Sequence, residues 1–205
     1  MRVIDLTKAA LIVIDMQHDF YGKGGNAARR GKAVEQMRSL PAKIAEFADG
    51  CRGAGAKVVF TKFVFDPDAS PANYKELTDD VRESNWLCLK GSKGSELDGV
   101  KVGSGDLVLE KPYYDSFAST NLKEMLVNLG VRDVIITGVR TEICVNATAT
   151  RSFSEGFRTF VASDLVGTYD GIPDTASGVL AALKYSAFVM ESAAIRNAFA
   201  IAKPK

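Results

Sequence analysis

Three side chains in this sequence carry the chemistry of a nucleophile site: the thiol of Cys144, the carboxylate of Asp15 and the ammonium of Lys111. A thiol becomes a strong nucleophile once a base takes its proton and a cation stabilises the thiolate, so these groups together suffice for attack on a carbonyl carbon. Each also has a plain structural reading. A free cysteine packs as a small hydrophobe, a carboxylate after a strand accepts backbone N–H bonds in a turn, and a lysine is normally a solvated surface charge. The chain has a single histidine, His18, so the common pairing of a thiol with an imidazole base is open only to that residue.

What favours chemistry is where the three lie. The stretch from Asp133 to Glu155, DVIITGVRTEICVNATATRSFSE, starts with the β-branched run Val134, Ile135 and Ile136, as in a strand buried on both faces of a parallel sheet. Gly138 breaks the run. Val145, Thr148, Ala149 and Phe153 then recur at helical spacing, which puts Cys144 in a first helical turn, where the dipole and unpaired N–H groups lower a thiol pKa. Asp15 ends the apolar run AALIVID, and Lys111 follows the run Asp106 to Glu110. Each of the three therefore stands at the carboxyl end of a different strand. In a parallel sheet those ends share one edge, with strands about 4.8 Å apart, and ligands of open α/β sheets bind along it.

The remaining elements must build that sheet. Ser39-Leu40-Pro41 opens a helix with Ile44, Phe47, Ala48 and Cys51 as its apolar stripe, which makes Cys51 core. Gly53-Ala54-Gly55 ends it, and a strand runs from Lys57 to Val64. Phe65 to Val102 is a long irregular excursion, of the sort that forms lids, partner surfaces or binding loops; Trp86 and Cys88 anchor it. A helix over Asn121 to Leu129 feeds the Asp133 strand. Further on come a strand from Arg158 to Ala162, a helix from Pro173 to Leu183, a strand from Phe188 to Met190 and a helix from Ser192 to Ile201. This alternation predicts a three-layer α/β/α sandwich around a mainly parallel six-stranded sheet, with residues 1–205 as a single domain.

Bulk properties bound the function. The net charge is +1 and no dense basic run occurs, which argues against nucleic acid or an anionic membrane as partner and for a small-molecule substrate. The amino-terminal apolar run is too short to span a bilayer and lacks a cleavage site, which predicts a cytoplasmic protein. Cys51, Cys88 and Cys144 form no C-x-x-C pair and are expected as reduced thiols. No ligand spacing of the zinc type is present, so neither metal nor cofactor is expected.

The D-x-Q of Asp15-Met16-Gln17, the segment KPYYDSF and the segment TGVRTEICVNATA together resemble the isochorismatase-like cysteine hydrolases, over nearly the whole chain. That family includes nicotinamidases, N-carbamoylsarcosine amidohydrolase, and ureidoacrylate and biuret hydrolases. The resemblance implies an isochorismatase-like, Rossmann-like fold with Asp15 as general base, Lys111 holding the charge balance and Cys144 as nucleophile. It also implies an oxyanion hole from the backbone N–H groups of Arg140 and Cys144, a cis Val139–Arg140 peptide, and a homo-oligomer, dimer or tetramer. The zinc-using nicotinamidases carry a D-x-H-x-H-type set after the second strand, whereas FTKFVFDPD here has no histidine. Tyr113 and Asp115 stand where many relatives have Arg and Ser.

The leading expectation is a metal-free cysteine hydrolase that cleaves the C–N bond of a small amide, carbamoyl or ureido compound through a thioester. Isochorismatase-type ether hydrolysis, which needs no thiol, is the alternative enzyme reading. A non-catalytic thiol redox sensor or ligand-binding relative is a third. Expected substrate contacts are Gln17, Phe20, Phe63, Tyr114 and Phe117, with Tyr185 a further aromatic.

Overall fold

The computed structural model describes residues 3–77, 86–169 and 173–199. Six strands, β1 (Ala9–Ile14), β2 (Lys57–Phe63), β3 (Leu107–Lys111), β4 (Asp133–Val139), β5 (Arg158–Gly167) and β6 (Phe188–Met190), form one sheet in the order β3-β2-β1-β4-β5-β6. Every neighbouring pair is parallel. The order reverses between β1 and β4, which leaves the crevice of a doubly wound sheet beyond Ile14 and Val139.

The helices are α1 (His18–Tyr21), α2 (Asn26–Arg29), α3 (Leu40–Gly53), α4 (Ala72–Leu77), α5 (Leu122–Asn128), α6 (Asn146–Ser154), α7 (Pro173–Leu183) and α8 (Ser192–Asn197). The period-2 alternation of β1 shows how they layer. Ala9, Leu11 and Val13 pack with Ile44, Phe47, Ala48 and Cys51 of α3 and Ile195 of α8. Ala10, Ile12 and Ile14 pack on the opposite face with Leu122 and Leu126 of α5, Ala149 of α6 and Leu183 of α7. Because both faces are covered, β1 is wholly buried, which accounts for its unbroken apolar run.

Gly138 is fixed by register. It lies opposite Ile14, has φ +111°, and a Cβ there would stand 2.1 Å from the Ile14 carbonyl oxygen, so only glycine lets β4 approach β1 this closely. The strand pairing slips between Ile136 and Gly138, and β5 continues to Gly167 rather than ending at Ala162. The Phe65 to Val102 excursion holds α4, a 3-10 turn at Lys93–Ser95 and a bridge from Phe65 to Leu89. Its residues 78–85, and the expected end of the last helix at Ile201, lie outside the described residues. After Asp15 come α1 and α2, four-residue helices too short to show apolar periodicity. Among the described residues no helix is long and apolar enough to cross a membrane.

Candidate active site

Asp15 follows β1 with a positive φ of 49°, a conformation that Asp tolerates better than most residues. Its amide is 3.2 Å from the Thr61 carbonyl on β2, and its Oδ1 accepts a 2.7 Å hydrogen bond from the Thr61 hydroxyl. Oδ2 lies 2.7 Å from Lys111 Nζ, with both side chains fully buried. Beyond that ion pair Oδ2 has no hydrogen-bond donor among the described residues, so it is the oxygen with accepting capacity left.

Lys111 comes from β3, two strands away from β1, rather than from an adjacent strand. At about 4.8 Å per strand the two backbones stand roughly 10 Å apart, a gap that the extended lysine and aspartate side chains close across Thr61. The ammonium donates to the carbonyls of Tyr113 and Tyr114, at 3.0 and 3.1 Å. Its remaining donor capacity faces Asp15 and the thiol of Cys144. Burial opposes this charge, but Asp15 and Cys144 outweigh it and raise the Lys111 pKa, so the ammonium keeps its proton.

Cys144 occupies a π-helical turn, Thr141–Val145, that runs straight into α6. Its side chain is buried and within hydrogen-bonding reach of both Asp15 and Lys111. The expected lowering of the thiol pKa is corrected here. Burial pushes it up, Lys111 pulls it down and Asp15 pushes it up again, so the resting group is a thiol. The Val139–Arg140 peptide is cis, as the resemblance implied.

A small pocket opens on Cys144, lined by Phe20, Phe63, Tyr74, Leu87, Tyr114, Arg140 and Ile143. Phe63, Tyr74 and Tyr114 meet edge to face or tilted, with centroids 5.3 to 6.2 Å apart, and build one wall. Phe20, Phe63 and Tyr114 thus stand where substrate contacts were expected. Gln17 and Phe117 do not line this pocket. The Gln17 amide donates to the carbonyls of Phe63 and Ser95 and accepts from the Phe63 N–H, which uses it up as a clamp between β1, β2 and the excursion. Phe117 stacks on Phe157 in the core beneath α5 and α6. Tyr185 is exposed on a different surface groove, beside Phe153 and Phe188.

Sequence reasoning did not find Thr61, Tyr74, Leu87 or Ile143. A threonine inside an otherwise apolar strand was the available signal for Thr61. Tyr74 and Leu87 sit in the irregular excursion, where no periodicity marks an inward residue.

A model of the isochorismatase domain matches residues 9–194. The chain belongs to the isochorismatase family. Among its relatives, nicotinamidase 3 of Arabidopsis thaliana is 31% identical over 170 residues, covering 79% of this chain and 74% of that protein. The ureidoacrylate amidohydrolase RutB of Methylorubrum extorquens is 30% identical, with 78% and 70% covered. A cysteine hydrolase of Pseudomonas syringae pv. phaseolicola shares the fold at a TM-score of 0.85 and 18% identity, covering 97% of this chain and 95% of that one. This family member is accordingly a hydrolase of the α/β isochorismatase-like fold.

The zinc used by some nicotinamidases does not fit the residues present. No cluster of three histidine, cysteine, aspartate or glutamate side chains with metal-binding geometry occurs among the described residues. His18 Nδ1 is engaged 2.8 Å from Asp98 Oδ2, away from the pocket lining.

Proposed function

We propose that this isochorismatase-family hydrolase cleaves the C–N bond of a small amide, carbamoyl or ureido compound, with Cys144 as nucleophile, Asp15 as base and acid, and Lys111 as charge anchor. The observation that carries the reading is the fully buried Asp15–Lys111 pair at 2.7 Å within hydrogen-bonding reach of a thiol that opens on a pocket. The nicotinamidase and ureidoacrylate amidohydrolase names of its relatives agree with that bond type.

The reaction proceeds from the neutral thiol. Substrate seats its carbonyl over Sγ, the thiol proton passes to Asp15, and Sγ attacks the carbonyl carbon. The new C–S bond places the electron pair on oxygen, where the backbone N–H groups of Arg140 and Cys144 receive it. Collapse of the tetrahedral species breaks the C–N bond, and Asp15 returns the proton to the departing ammonia or amine. Water then gives its proton to Asp15 and attacks the thioester, releasing the acid and restoring the thiol. Throughout, the Lys111 ammonium offsets charge alternating between Asp15 and Sγ. Fixed by two carbonyls, it does so without reorganising.

The test is ammonia release from a panel of small amides and ureides, with trapping of an acyl group on Cys144 read by mass spectrometry. Cys144→Ala and Cys144→Ser should both lose turnover by at least about a thousandfold, since removing one member of a catalytic unit costs on that order or more. Near-native turnover by either variant would end the thioester mechanism.

A further inference from the structure

Arg140 is the single pocket-lining residue with a formally charged side chain among the described residues, and its charge is felt at Tyr114 on the same wall. Left to itself, a guanidinium there would select substrates with a carboxylate, because it binds planar anions through paired donors. It is not left to itself. Its Nε lies 2.8 Å from Glu142 Oε1, and Nη2 donates to the same oxygen. The guanidinium carbon stacks 4.0 Å from the centroid of the Tyr169 ring.

Glu142 is itself about nine-tenths buried, and its second oxygen, Oε2, is buried with no hydrogen-bond partner. Leaving a buried carboxylate oxygen unpaired is unfavourable, and here one oxygen of Glu142 takes both of Arg140's hydrogen bonds while the other takes none. Deeper in the site, Asp15 and Lys111 already offset each other. An anionic substrate group would therefore meet a cation whose field is cancelled, beside an uncompensated acceptor.

We infer that Glu142 is a specificity residue acting through Arg140: it neutralises the pocket's cation, and the enzyme takes uncharged amides and disfavours those bearing a carboxylate. The inference rests on the proposed function, in which the Cys144 thiol is the reacting group. It deepens that function by naming the charge class of the substrate.

Iodoacetamide and iodoacetate test it without requiring a known substrate. Both alkylate a thiol, forming a C–S bond and expelling iodide while the thiol proton passes to Asp15, and they differ in carrying an amide or a carboxylate. Alkylation rates at Cys144, read by peptide mass spectrometry, give the iodoacetamide/iodoacetate ratio, normalised to the same ratio for glutathione. Wild-type enzyme should favour iodoacetamide. Glu142→Gln, which keeps shape and one acceptor but frees the guanidinium charge, should shift the ratio toward iodoacetate by about tenfold. Raised salt should shrink that shift, and the double variant Glu142→Gln/Arg140→Met should restore the wild-type preference.

A wild-type preference for iodoacetate, or a ratio that Glu142→Gln leaves unchanged, overturns the inference. Should Glu142→Gln not fold, the wild-type ratio alone decides. A Cys144 inert to both reagents overturns the proposed function and this inference with it.

Discussion

Lys111 and Asp15 form a buried ion pair, and such a pair is worth more intact than its separate halves suggest. Lys111→Met strands the Asp15 carboxylate in a dry site and should cost about 3–5 kcal/mol in chemical denaturation. Adding Asp15→Asn should recover most of that loss but none of the activity, which separates the pair's structural cost from its chemical use. Thr61→Val leaves Asp15 Oδ1 without its 2.7 Å donor and should cost about 1–3 kcal/mol. The thiol gives a pH prediction with a definite sign. Burial raises the Cys144 pKa, so deprotonation moves to higher pH. The 240 nm difference between wild type and Cys144→Ala should show no thiolate step at the ordinary midpoint of about 8.5. A thiolate already present at neutral pH would mean that Lys111 dominates over burial.

Two positions connect elements to the site and were read very differently from the sequence. Gly138 was legible as a break in an apolar run, and the sheet shows why it must be glycine: the Ile14 carbonyl occupies the space of any Cβ. Gly138→Ala should therefore destabilise the fold by more than about 3 kcal/mol, or prevent folding, by forcing β4 from β1. Gln17, by contrast, was read as a substrate contact. A polar residue near a site resembles a ligand-binding group in sequence, and nothing local shows that the Phe63 and Ser95 backbones will claim it. Gln17→Leu should lower stability by roughly 3 kcal/mol, measured by denaturant midpoint, ahead of any specific change in KM.

The strands, their type and the sharing of one edge by Asp15, Lys111 and Cys144 were legible because apolar runs and glycine breaks are local signals. Strand order was not, since it depends on which runs pair across the whole chain. So the crossing of Lys111 over β2, and the role this gives Thr61, emerged only with the sheet. The far pocket wall was hidden for a related reason: Tyr74 packs on Phe63 and Leu87 joins it on the lining through long-range packing, not through any repeat.

At the scale of the whole molecule, Val108, Val127 and Leu129 leave apolar surface exposed on β3, on α5 and just beyond it, and we propose that the chain forms the homo-oligomer that the resemblance implied. Light scattering at micromolar concentration should give a multiple of the 22.0 kDa chain mass; a monomer mass would remove that expectation.

The stitching of the excursion has a consequence for how such an enzyme changes its diet. Asp19 holds the amides of Asn26 and Cys88 at 2.8 Å each, Asn26 donates to the Trp86 carbonyl, and Gln17 holds Ser95. Where they meet the excursion these fasteners grip backbone, not side chains, at Trp86, Cys88 and Ser95. Among the described residues 66–77, Tyr74 alone lines the pocket, so a change there should reshape one wall while the anchors at Trp86, Cys88 and Ser95 and the three reacting groups stay in place.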